Sequence, residues 1–428
     1  MLYYLFSWLH KSGYHGTRIF QYISFRSAMA FVLALIISVF IGKYFIQYLK
    51  KKQIGESIRD LGLAGQNEKA GTPTMGGLII IAAILIPALL LCDLSNIYII
   101  LMLFTTVWLG VLGFSDDYIK VFKKNKDGLS PRKKLIGQIV LGIFVGATMY
   151  FHPDAMISEK KVQKQSLTKV SSTELLQLEN QEKAHTPKLF DEPHHSSKTT
   201  IPFVKGNEFD YAWLISWMGD WTVDYVWVVY VIVAILVVTA VSNASNLTDG
   251  IDGLATGTAS IIGGALAILA WVSGNIIMAN YLNIVYLADI GELTIFITAF
   301  VGATLGFLWF NTFPAEVFMG DTGSLALGGI IAVFALLIRK ELLLPILCGI
   351  YVVEDLSVIC QTYGCKHYRR KHKLPPDQPV PIEKRPFLMT PLHHHYQKQG
   401  IPEPKIVQRF VIIGILLAII SIVTLKLR

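Results

Sequence analysis

Long apolar runs constrain this chain more than any other feature of its sequence. A helix needs roughly 20 apolar residues to cross a bilayer core about 30 Å thick. The chain of 428 residues is 53% hydrophobic and only 16% charged, which is unusual for a soluble protein. We therefore predict an all-α integral membrane protein with about ten transmembrane helices. The predicted spans are 24-49, 75-95, 97-115, 133-151, 224-244, 254-273, 292-310, 322-338, 341-361 and 409-427.

Cysteine usage and charge exclude several other classes. The four cysteines form no CxxC pattern and imply no disulfide framework. No removable signal peptide is evident, so we expect the first span to direct insertion. The formal net charge of +8 comes from cations that cluster beside the apolar runs. Orientation in the bilayer explains such clusters better than a nucleic-acid partner does, and we expect no nucleic-acid binding.

The distribution of basic residues predicts which side of the membrane each loop occupies. Loops 50-74, 116-134 and 362-408 are rich in Lys and Arg, which the positive-inside rule assigns to the cytoplasm. Both termini then lie outside. Residues 152-222 form a long extracytoplasmic insert, whose lysine- and glutamine-rich first half we expect to be flexible or weakly helical. Residues 1-428 are thus predicted to be a single polytopic membrane domain, with three histidines in the cytoplasmic loop 362-408.

Acidic residues collect where odd-numbered spans reach the cytoplasm. They occur in GFSDDYIK, SNASNLTDGIDGL and WFNTFPAEVFMGDTGS, which follow the third, fifth and seventh spans. Acids at membrane depth are costly and indicate function, and several together repel unless a cation joins them. Mg²⁺ with a phosphorylated substrate fits them better than a closed structural site. A helix N-cap role stays open for some of them. The acids are Asp116, Asp117, Asp249, Asp252 and Asp321.

Glycine-rich turns accompany these acids and indicate phosphate binding. NLTDGIDGL, MGDTGS and KAGTPTMGG each place glycines close to the start of an apolar run. Glycine lets the backbone approach a ligand, and exposed N–H groups at a helix N-terminus favour phosphate. Lys69, Lys120 and Lys134 could balance phosphate charge, although each lysine also fits a simple topology signal.

The triplet His393, His394 and His395 in PLHHHYQKQG is a poor metal site. Neighbouring side chains point in different directions on any regular backbone, so three in a row seldom share one metal. Imidazole also suits zinc, copper or nickel rather than Mg²⁺. A loop that carries imidazoles to a phosphate is one interpretation, and a solvated basic loop is the other.

Six motifs together resemble one protein family. KAGTPTMGG, FSDDYIK, NLTDGIDGL, FNTFPAEVFMGDTGS, VEDLSVICQ and MTPLHHHYQ are similar to the phospho-N-acetylmuramoyl-pentapeptide transferases, within the polyprenyl-phosphate N-acetylhexosamine-1-phosphate transferase superfamily. The resemblance implies Mg²⁺-dependent transfer of phospho-MurNAc-pentapeptide from UDP to undecaprenyl phosphate, giving lipid I and UMP. It also implies a bacterial inner-membrane protein, a site that faces the cytoplasm, and a homodimer. The 152-222 insert and the segment KHYRRKHKLPPDQPVPIEKRP depart from the family pattern.

The resemblance also implies roles for particular residues. Asp321 would hold Mg²⁺ together with Asp117, and either Asp116 or Asp117 would help to position the metal or remove a proton. His394 is the histidine that we expect to be catalytic. Phe318 would offer a stacking face for uracil. The residues expected to bind substrate are Lys69, Thr74, Lys120, Lys134, Asn246, Asp249, Asp252, Asn311, Phe318, Gln361, His393 and His395.

Alternatives to this reaction stay open at the level of the sequence. A related polyprenyl-phosphate GlcNAc-1-phosphate transferase is one alternative, although GTPTMGG and the unbroken HHH favour the muramoyl-pentapeptide branch. A transporter of an anionic solute would also carry acids within its spans, and Glu354 and Asp355 come closest to such a position. Within the transferase hypothesis, direct transfer is favoured over a covalent carboxylate intermediate, because a metal-bound carboxylate is a poorer nucleophile.

Overall fold

The computed structural model describes residues 1–52, 71–123, 125, 127–157, 195–204, 208–282, 284–375 and 378–426. Its longer elements are α-helices, and its strands are the pair β1 (Lys198–Thr200) and β2 (Glu208–Asp210). The helices are α1 (Leu2–Lys11), α2 (Ile23–Lys51), α3 (Gly77–Leu91), α4 (Ile97–Phe122), α5 (Pro131–Phe151), α6 (Trp213–Ser216), α7 (Val226–Thr248), α8 (Leu254–Ser273), α9 (Ile276–Leu282), α10 (Gly291–Asn311), α11 (Gly320–Leu337), α12 (Leu344–Leu347), α13 (Gly349–His372), α14 (Leu392–Lys398) and α15 (Glu403–Val423). Short 3₁₀ turns cover His15–Gln21, Asp220–Tyr225, Glu341–Leu343 and Ile382–Lys384.

The prediction of an all-α membrane protein is confirmed, with a refinement in the number of spans. Among the described residues, eight helices are long and apolar enough to cross a membrane. A ninth span would be the pair Glu341–Leu347 and Gly349–His372, which is bent by 77°. Helix α3 has 15 residues, or about 22 Å at 1.5 Å per residue, which is shorter than the hydrocarbon core. The predicted span 341-361 is therefore broken by a bend. The predicted span 75-95 contains a helix that is shorter than a full crossing.

Helix α11 forms the centre of the bundle. The apolar stretch of α11 is 89% buried. Those of α2 and α15 are each only 28% buried, so these two helices face outward. Two glycines allow neighbouring helices to approach it closely. A Cβ on Gly77 of α3 would lie 2.1 Å from the Gly323 backbone nitrogen, and one on Gly113 of α4 would lie 2.2 Å from the Asp321 carbonyl oxygen. This packing places the first turn of α11 against α4.

The described end of the 152-222 insert packs against the far end of α11. Strands β1 and β2 are antiparallel, with Thr199 opposite Phe209. The Thr200 backbone N–H donates to the Arg339 carbonyl at 3.0 Å, and the Lys340 ammonium donates to the Thr200 hydroxyl at 2.6 Å. The hairpin therefore covers the junction between α11 and the bent pair. Residues 158–194 lie outside the described part, so their expected flexibility stays a prediction.

The 362-408 segment contains more helix than the sequence predicts. Helix α13 continues to His372 and ends at Lys373, which has φ 50°. Basic residues in its last turn stabilise a helix C-terminus through the helix dipole, which explains the extension. The histidine triplet lies on the short helix α14 instead of a loop, and α15 begins at Glu403, six residues before the predicted span.

Candidate active site

Three acids from two distant parts of the chain meet at one end of the bundle. Asp116 and Asp117 lie near the end of α4, and Asp321 lies in the first turn of α11. One carboxylate oxygen from each residue lies within 4.8 Å of the others. Asp116 and Asp117 are 0% and 3% exposed. The structure thus brings together three of the five predicted acids.

Asp117 binds the backbone of the helix that carries Asp321. Its Oδ1 accepts the Asp321 N–H at 3.0 Å, and its Oδ2 accepts the Thr322 N–H at 2.9 Å and the Thr322 hydroxyl at 2.5 Å. A carboxylate is favoured at a helix N-terminus because it meets unpaired N–H groups and the positive end of the dipole. Since Oδ2 already accepts two hydrogen bonds, Oδ1 is the oxygen with room for a cation.

Two lysines bridge the remaining acids. The Lys120 ammonium lies 2.6 Å from Asp116 Oδ2 and 3.2 Å from Asp321 Oδ2. The Lys134 ammonium lies 3.0 Å from Asp116 Oδ1 and also contacts Asp321 Oδ2. The Leu129 backbone N–H donates to Asp116 Oδ1 at 2.6 Å. With three carboxylates and two ammonium groups, this carboxylate–lysine cluster carries one net negative charge.

The donor set of this cluster fits a hard divalent cation. Carboxylate oxygens are ligands that Mg²⁺ prefers, and it commonly uses one or two of them together with substrate phosphates. Asn246 of α7 holds the other oxygen of Asp321, donating to Oδ1 at 3.0 Å. The same amide donates to the Ser324 hydroxyl at 2.8 Å. A divalent cation would change the net charge from −1 to +1, which would attract phosphate.

The described part of KAGTPTMGG lies beside the first turn of α11. The Phe318 N–H donates to the Pro73 carbonyl at 2.8 Å, and the Gly76 N–H donates back to the Phe318 carbonyl at 2.9 Å. Thr74 is buried, and its hydroxyl would lie 3.1 Å from a Cβ on Gly320. Phe318 itself is half-buried. Thr74 and Phe318 are therefore placed at the site, whereas Lys69 lies outside the described residues.

The loop after α7 is tied to the segment before α11. Asp249 is the half-buried residue that ends α7, and Asp252 accepts the Ala315 N–H at 3.0 Å. Asn311 is buried and uses both ends of its amide: it accepts the Gly253 N–H at 3.2 Å and donates to the Val317 carbonyl at 3.0 Å. The contacts of Asn311 thus hold this loop in place.

Asp249, Asp252 and Asp321 are not N-cap residues of the helices that follow them. The N-cap residue of α8 is Gly253, which has φ 79°, a conformation that favours glycine. Asp249 is instead the C-cap residue of α7. Asp321 lies inside the first turn of α11, and Asp117 satisfies the N–H groups there from another helix.

The three histidines have three different sets of partners. His393 is 0% exposed, and its Nδ1 lies 3.1 Å from Glu354 Oε2. His394 Nδ1 lies 2.7 Å from Gln397 Oε1. His395 Nδ1 accepts the Leu388 N–H at 3.1 Å. This divergence agrees with the expectation that the triplet is no shared metal site.

His393 connects α14 to the loop after α7. A Cβ on Gly250 would lie 2.2 Å from His393 Nε2, so only glycine admits the imidazole there. Gln361 supports the same region, because its amide donates to the Phe387 carbonyl at 3.1 Å and accepts the Phe387 N–H at 3.0 Å. The loop between Asn246 and Gly253 therefore links the carboxylate–lysine cluster to the histidine helix.

Several residues at the site were not predicted from the sequence. Glu403 Oε1 accepts the Asp252 N–H at 2.6 Å, and its Oε2 accepts from Gln397 Nε2 at 3.2 Å. Glu354 was noted only as support for a transporter, yet it pairs with His393. An acid at the edge of an apolar run was the available signal for Glu403, as it was for the other acids. No comparable signal marks Gln397.

Comparison with known proteins defines the class of the protein. Residues 194–339 match the sequence pattern of glycosyl transferase family 4. Together with the apolar helices and the carboxylate–lysine cluster, this match defines an integral membrane transferase.

Signature 1 of the phospho-N-acetylmuramoyl-pentapeptide-transferases matches residues 69–81. Proteins of that name from Flavobacterium psychrophilum and Porphyromonas gingivalis W83 are each 53% identical to this chain, and one from Bacteroides thetaiotaomicron is 50% identical. Each comparison covers 100% of both chains. The chain belongs to the phospho-N-acetylmuramoyl-pentapeptide-transferase family, which confirms the resemblance seen in its motifs.

Proposed function

We propose that this protein transfers phospho-MurNAc-pentapeptide from its UDP derivative to undecaprenyl phosphate, giving lipid I and UMP. The observation that carries the proposal is the carboxylate–lysine cluster of Asp116, Asp117, Asp321, Lys120 and Lys134 in a chain with full-length relatives of that name. The clustering of Lys and Arg in loops 50-74, 116-134 and 362-408 supports a site that faces the cytoplasm of a bacterial inner membrane. A homodimer, which the resemblance implies, stays a prediction.

Asp321 and Asp117 are the residues that would hold Mg²⁺. Asp117 would contribute Oδ1, because its Oδ2 already accepts from Thr322. Bound there, the ion would neutralise charge on the pyrophosphate oxygens of the nucleotide sugar. Asn246 donates to Asp321 Oδ1 and would keep this carboxylate oriented toward the proposed metal position.

Lys120 and Lys134 are proposed to bind the phosphates of the two substrates. Each ammonium contacts both Asp116 and Asp321, so each can turn from Asp321 to a phosphate while it keeps Asp116 as an anchor. Asp116, which forms ion pairs with both lysines and accepts the Leu129 N–H, is better suited to orient these cations than to remove a proton. Undecaprenyl phosphate needs little help from a base, since a second phosphate pKa near 6 leaves it largely dianionic at pH 7.

The loop after α7 and the histidine helix are proposed to bind the nucleotide sugar. Asp249 and Asp252 would line this side of the cleft with Asn246, and Phe318 would stack on uracil. His394 is proposed to meet a phosphate oxygen. The contacts of Asn311, Gln361 and His393 support roles in holding the cleft rather than in touching the substrate, and His395 would contribute through the shape of α14.

The contacts of Glu354 also favour this activity over the transporter alternative. Glu354, the best feature for a transporter, is engaged by buried His393 and does not stand alone within a span. The GlcNAc-1-phosphate alternative concerns the donor sugar and is decided by assay.

The test is release of UMP by purified protein in detergent, supplied with UDP-MurNAc-pentapeptide, undecaprenyl phosphate and Mg²⁺. We expect turnover that is lost on chelation, restored by Mg²⁺, and abolished in Asp321→Ala. UDP-GlcNAc should not replace the donor. Absence of UMP release from the wild-type protein would overturn the proposed reaction, and equal use of UDP-GlcNAc would favour the alternative. Phosphosugar trapped on the protein without lipid would instead show a covalent intermediate.

A further inference from the structure

A continuous chain of hydrogen bonds connects His394 to the start of α15. His394 Nδ1 lies 2.7 Å from Gln397 Oε1, and Gln397 Nε2 lies 3.2 Å from Glu403 Oε2. The other oxygen of Glu403 accepts the Asp252 backbone N–H at 2.6 Å. Glu403 is 8% exposed. A buried carboxylate thus reaches the histidine helix and the loop after α7 together.

The order of donors and acceptors in this chain determines the tautomer of His394. An ionised carboxylate only accepts hydrogen bonds, so Glu403 requires the NH₂ group of Gln397 to face it. The amide oxygen of Gln397 then faces His394, and this oxygen also only accepts. His394 must therefore carry a proton on Nδ1, which leaves Nε2 as the nitrogen without a proton in the neutral ring.

We propose that Glu403 is a positioning residue for His394, acting through Gln397 to hold the Nδ1–H tautomer and to direct Nε2 at the reacting phosphates. The proposal rests on the proposed function, since it assumes that His394 meets a phosphate. It extends that function by naming the two residues that prepare the imidazole. The contact of Glu403 with Asp252 ties this preparation to the loop that is proposed to bind the nucleotide sugar.

Other titratable groups around His394 are also part of its environment. The His393 ring lies 4.2 Å from the His394 ring and is paired with Glu354 on α13. His395 follows on the same helix, and Asp252 and Glu403 come from the loop after α7 and from α15. Glu403 is connected to the imidazole through the hydrogen-bonded side chain of Gln397.

Three near-isosteric variants test the chain. Glu403→Gln keeps one accepting oxygen and replaces the other with NH₂. That NH₂ must oppose either the Gln397 NH₂ or the Asp252 N–H, so the order of donors and acceptors that sets the tautomer is no longer fixed. We expect kcat to fall about tenfold or more, with KM for UDP-MurNAc-pentapeptide within about twofold of wild type. Gln397→Met removes the link and should lower kcat similarly. Gln397→Glu puts a second acid where the Gln397 amide lies 3.2 Å from Glu403, so the two acids share one proton. The remaining negative charge lies closer to Nδ1 than in the wild type and stabilises imidazolium. The limb of the kcat pH profile that His394→Ala lacks should therefore move upward by about one pH unit.

Gln399→Met is the matched control, because Gln399 is an exposed amide directly after the last residue of α14, 3.0 Å from His395. Its pH profile should match that of the wild-type protein. Full turnover in His394→Ala would overturn the role of His394 within the proposed function. Loss in His394→Ala combined with wild-type kcat and pH profiles in the Gln397 variants would overturn the positioning proposal alone. The positioning proposal would also be overturned if Glu403→Gln lost turnover together with a lowered melting temperature while both Gln397 variants behaved as wild type.

Discussion

Asp117 accepts both the backbone N–H and the hydroxyl of Thr322, a residue 205 positions later in the chain. Because the Asp321 N–H binds the same carboxylate, this relationship sets the position of the proposed metal ligand. Asp117→Asn should lower stability by about 1–2 kcal/mol and turnover by about 10²-fold or more, since the amide opposes N–H groups with its own NH₂. Thr322→Val removes one hydrogen bond and should keep turnover within about tenfold. Melting temperature and UMP release measure both effects, and equal turnover in the two variants would contradict this account.

Lys134 and its neighbour Lys133 provide a matched pair. Lys134 contacts Asp116 and Asp321, whereas Lys133 is exposed beside it. Lys134→Met should lower kcat/KM by about 10²-fold, because the variant leaves two carboxylates with less neutralisation and removes a phosphate partner. Lys133→Met should stay close to wild type. UMP release over a range of nucleotide-sugar concentrations separates the two, and similar losses in both variants would argue for a general effect of surface charge.

Gly77 sits where α3 meets α11. An alanine Cβ there would lie 2.1 Å from the Gly323 backbone nitrogen, which cannot move without moving α11. Gly77→Ala should therefore destabilise the protein by about 1–3 kcal/mol and impair turnover through Asp321. Gly264→Ala is the control, because a Cβ at this position in α8 meets nothing within 4 Å. It should be neutral or stabilise by about 0.5–1 kcal/mol. The observation that would count against this packing is a melting temperature for Gly77→Ala at or above that of Gly264→Ala.

The buried Lys340 should make the stability of the folded protein depend on pH. Burial lowers the pKa of its ammonium from 10.5 to about 7, although the carboxylates of Glu341 and Glu208 oppose the shift. Between pH 7 and 10.5 the unfolded chain binds a proton that the folded protein has released, so stability from this group rises with pH in that window. Below pH 7 both states are protonated and the effect is constant.

Lys340→Met removes this titration. Between pH 7 and 9 the melting temperature of wild type should therefore rise relative to that of the variant, followed by tryptophan fluorescence. The exposed Lys133→Met variant should keep the wild-type slope. Parallel curves for Lys340→Met and wild type would show that Lys340 keeps an ordinary pKa.

The histidines should respond unequally to alanine. His394→Ala should lower kcat by about 10²-fold or more with little change in melting temperature, because His394 is partly exposed and proposed to act on the phosphate. His393→Ala leaves the buried Glu354 carboxylate without its imidazole and should cost about 3–5 kcal/mol of stability. His395→Ala should act more weakly, through the shape of α14. Equal activity and stability in all three variants would refute this division.

The apolar runs and the acidic strings were sufficient to predict the membrane class, most of the helices and the clustering of Asp116, Asp117 and Asp321. Length and hydropathy determine whether a segment can cross a bilayer, and both are local properties. The break in the span 341-361 and the shortness of α3 were missed. Neither is visible in hydropathy alone, because a bend between two apolar helices leaves the apolar run uninterrupted.

The motifs also could not show which polar residues hold the site together. Asn311 and Gln361 were predicted to bind substrate, which stays a prediction, and their hydrogen bonds to backbone groups at 3.0–3.2 Å were not predicted. Glu403 and Gln397 had no assigned role, although they connect His394 to the loop after α7. The partners are separated by as few as three residues and as many as 151. Which of them meet depends on how the helices and loops are folded together, so no local pattern identifies them.

By itself the sequence determined that this chain crosses a membrane, and it predicted that acids, lysines and histidines lie together on one side. Only the tertiary structure decided that Asp117 caps the helix of Asp321 and that each lysine bridges two acids. It also decided that each histidine faces a different partner. The physical reason is that burial and charge pattern are carried by each residue's own chemistry, whereas hydrogen-bond direction depends on how separate helices approach one another.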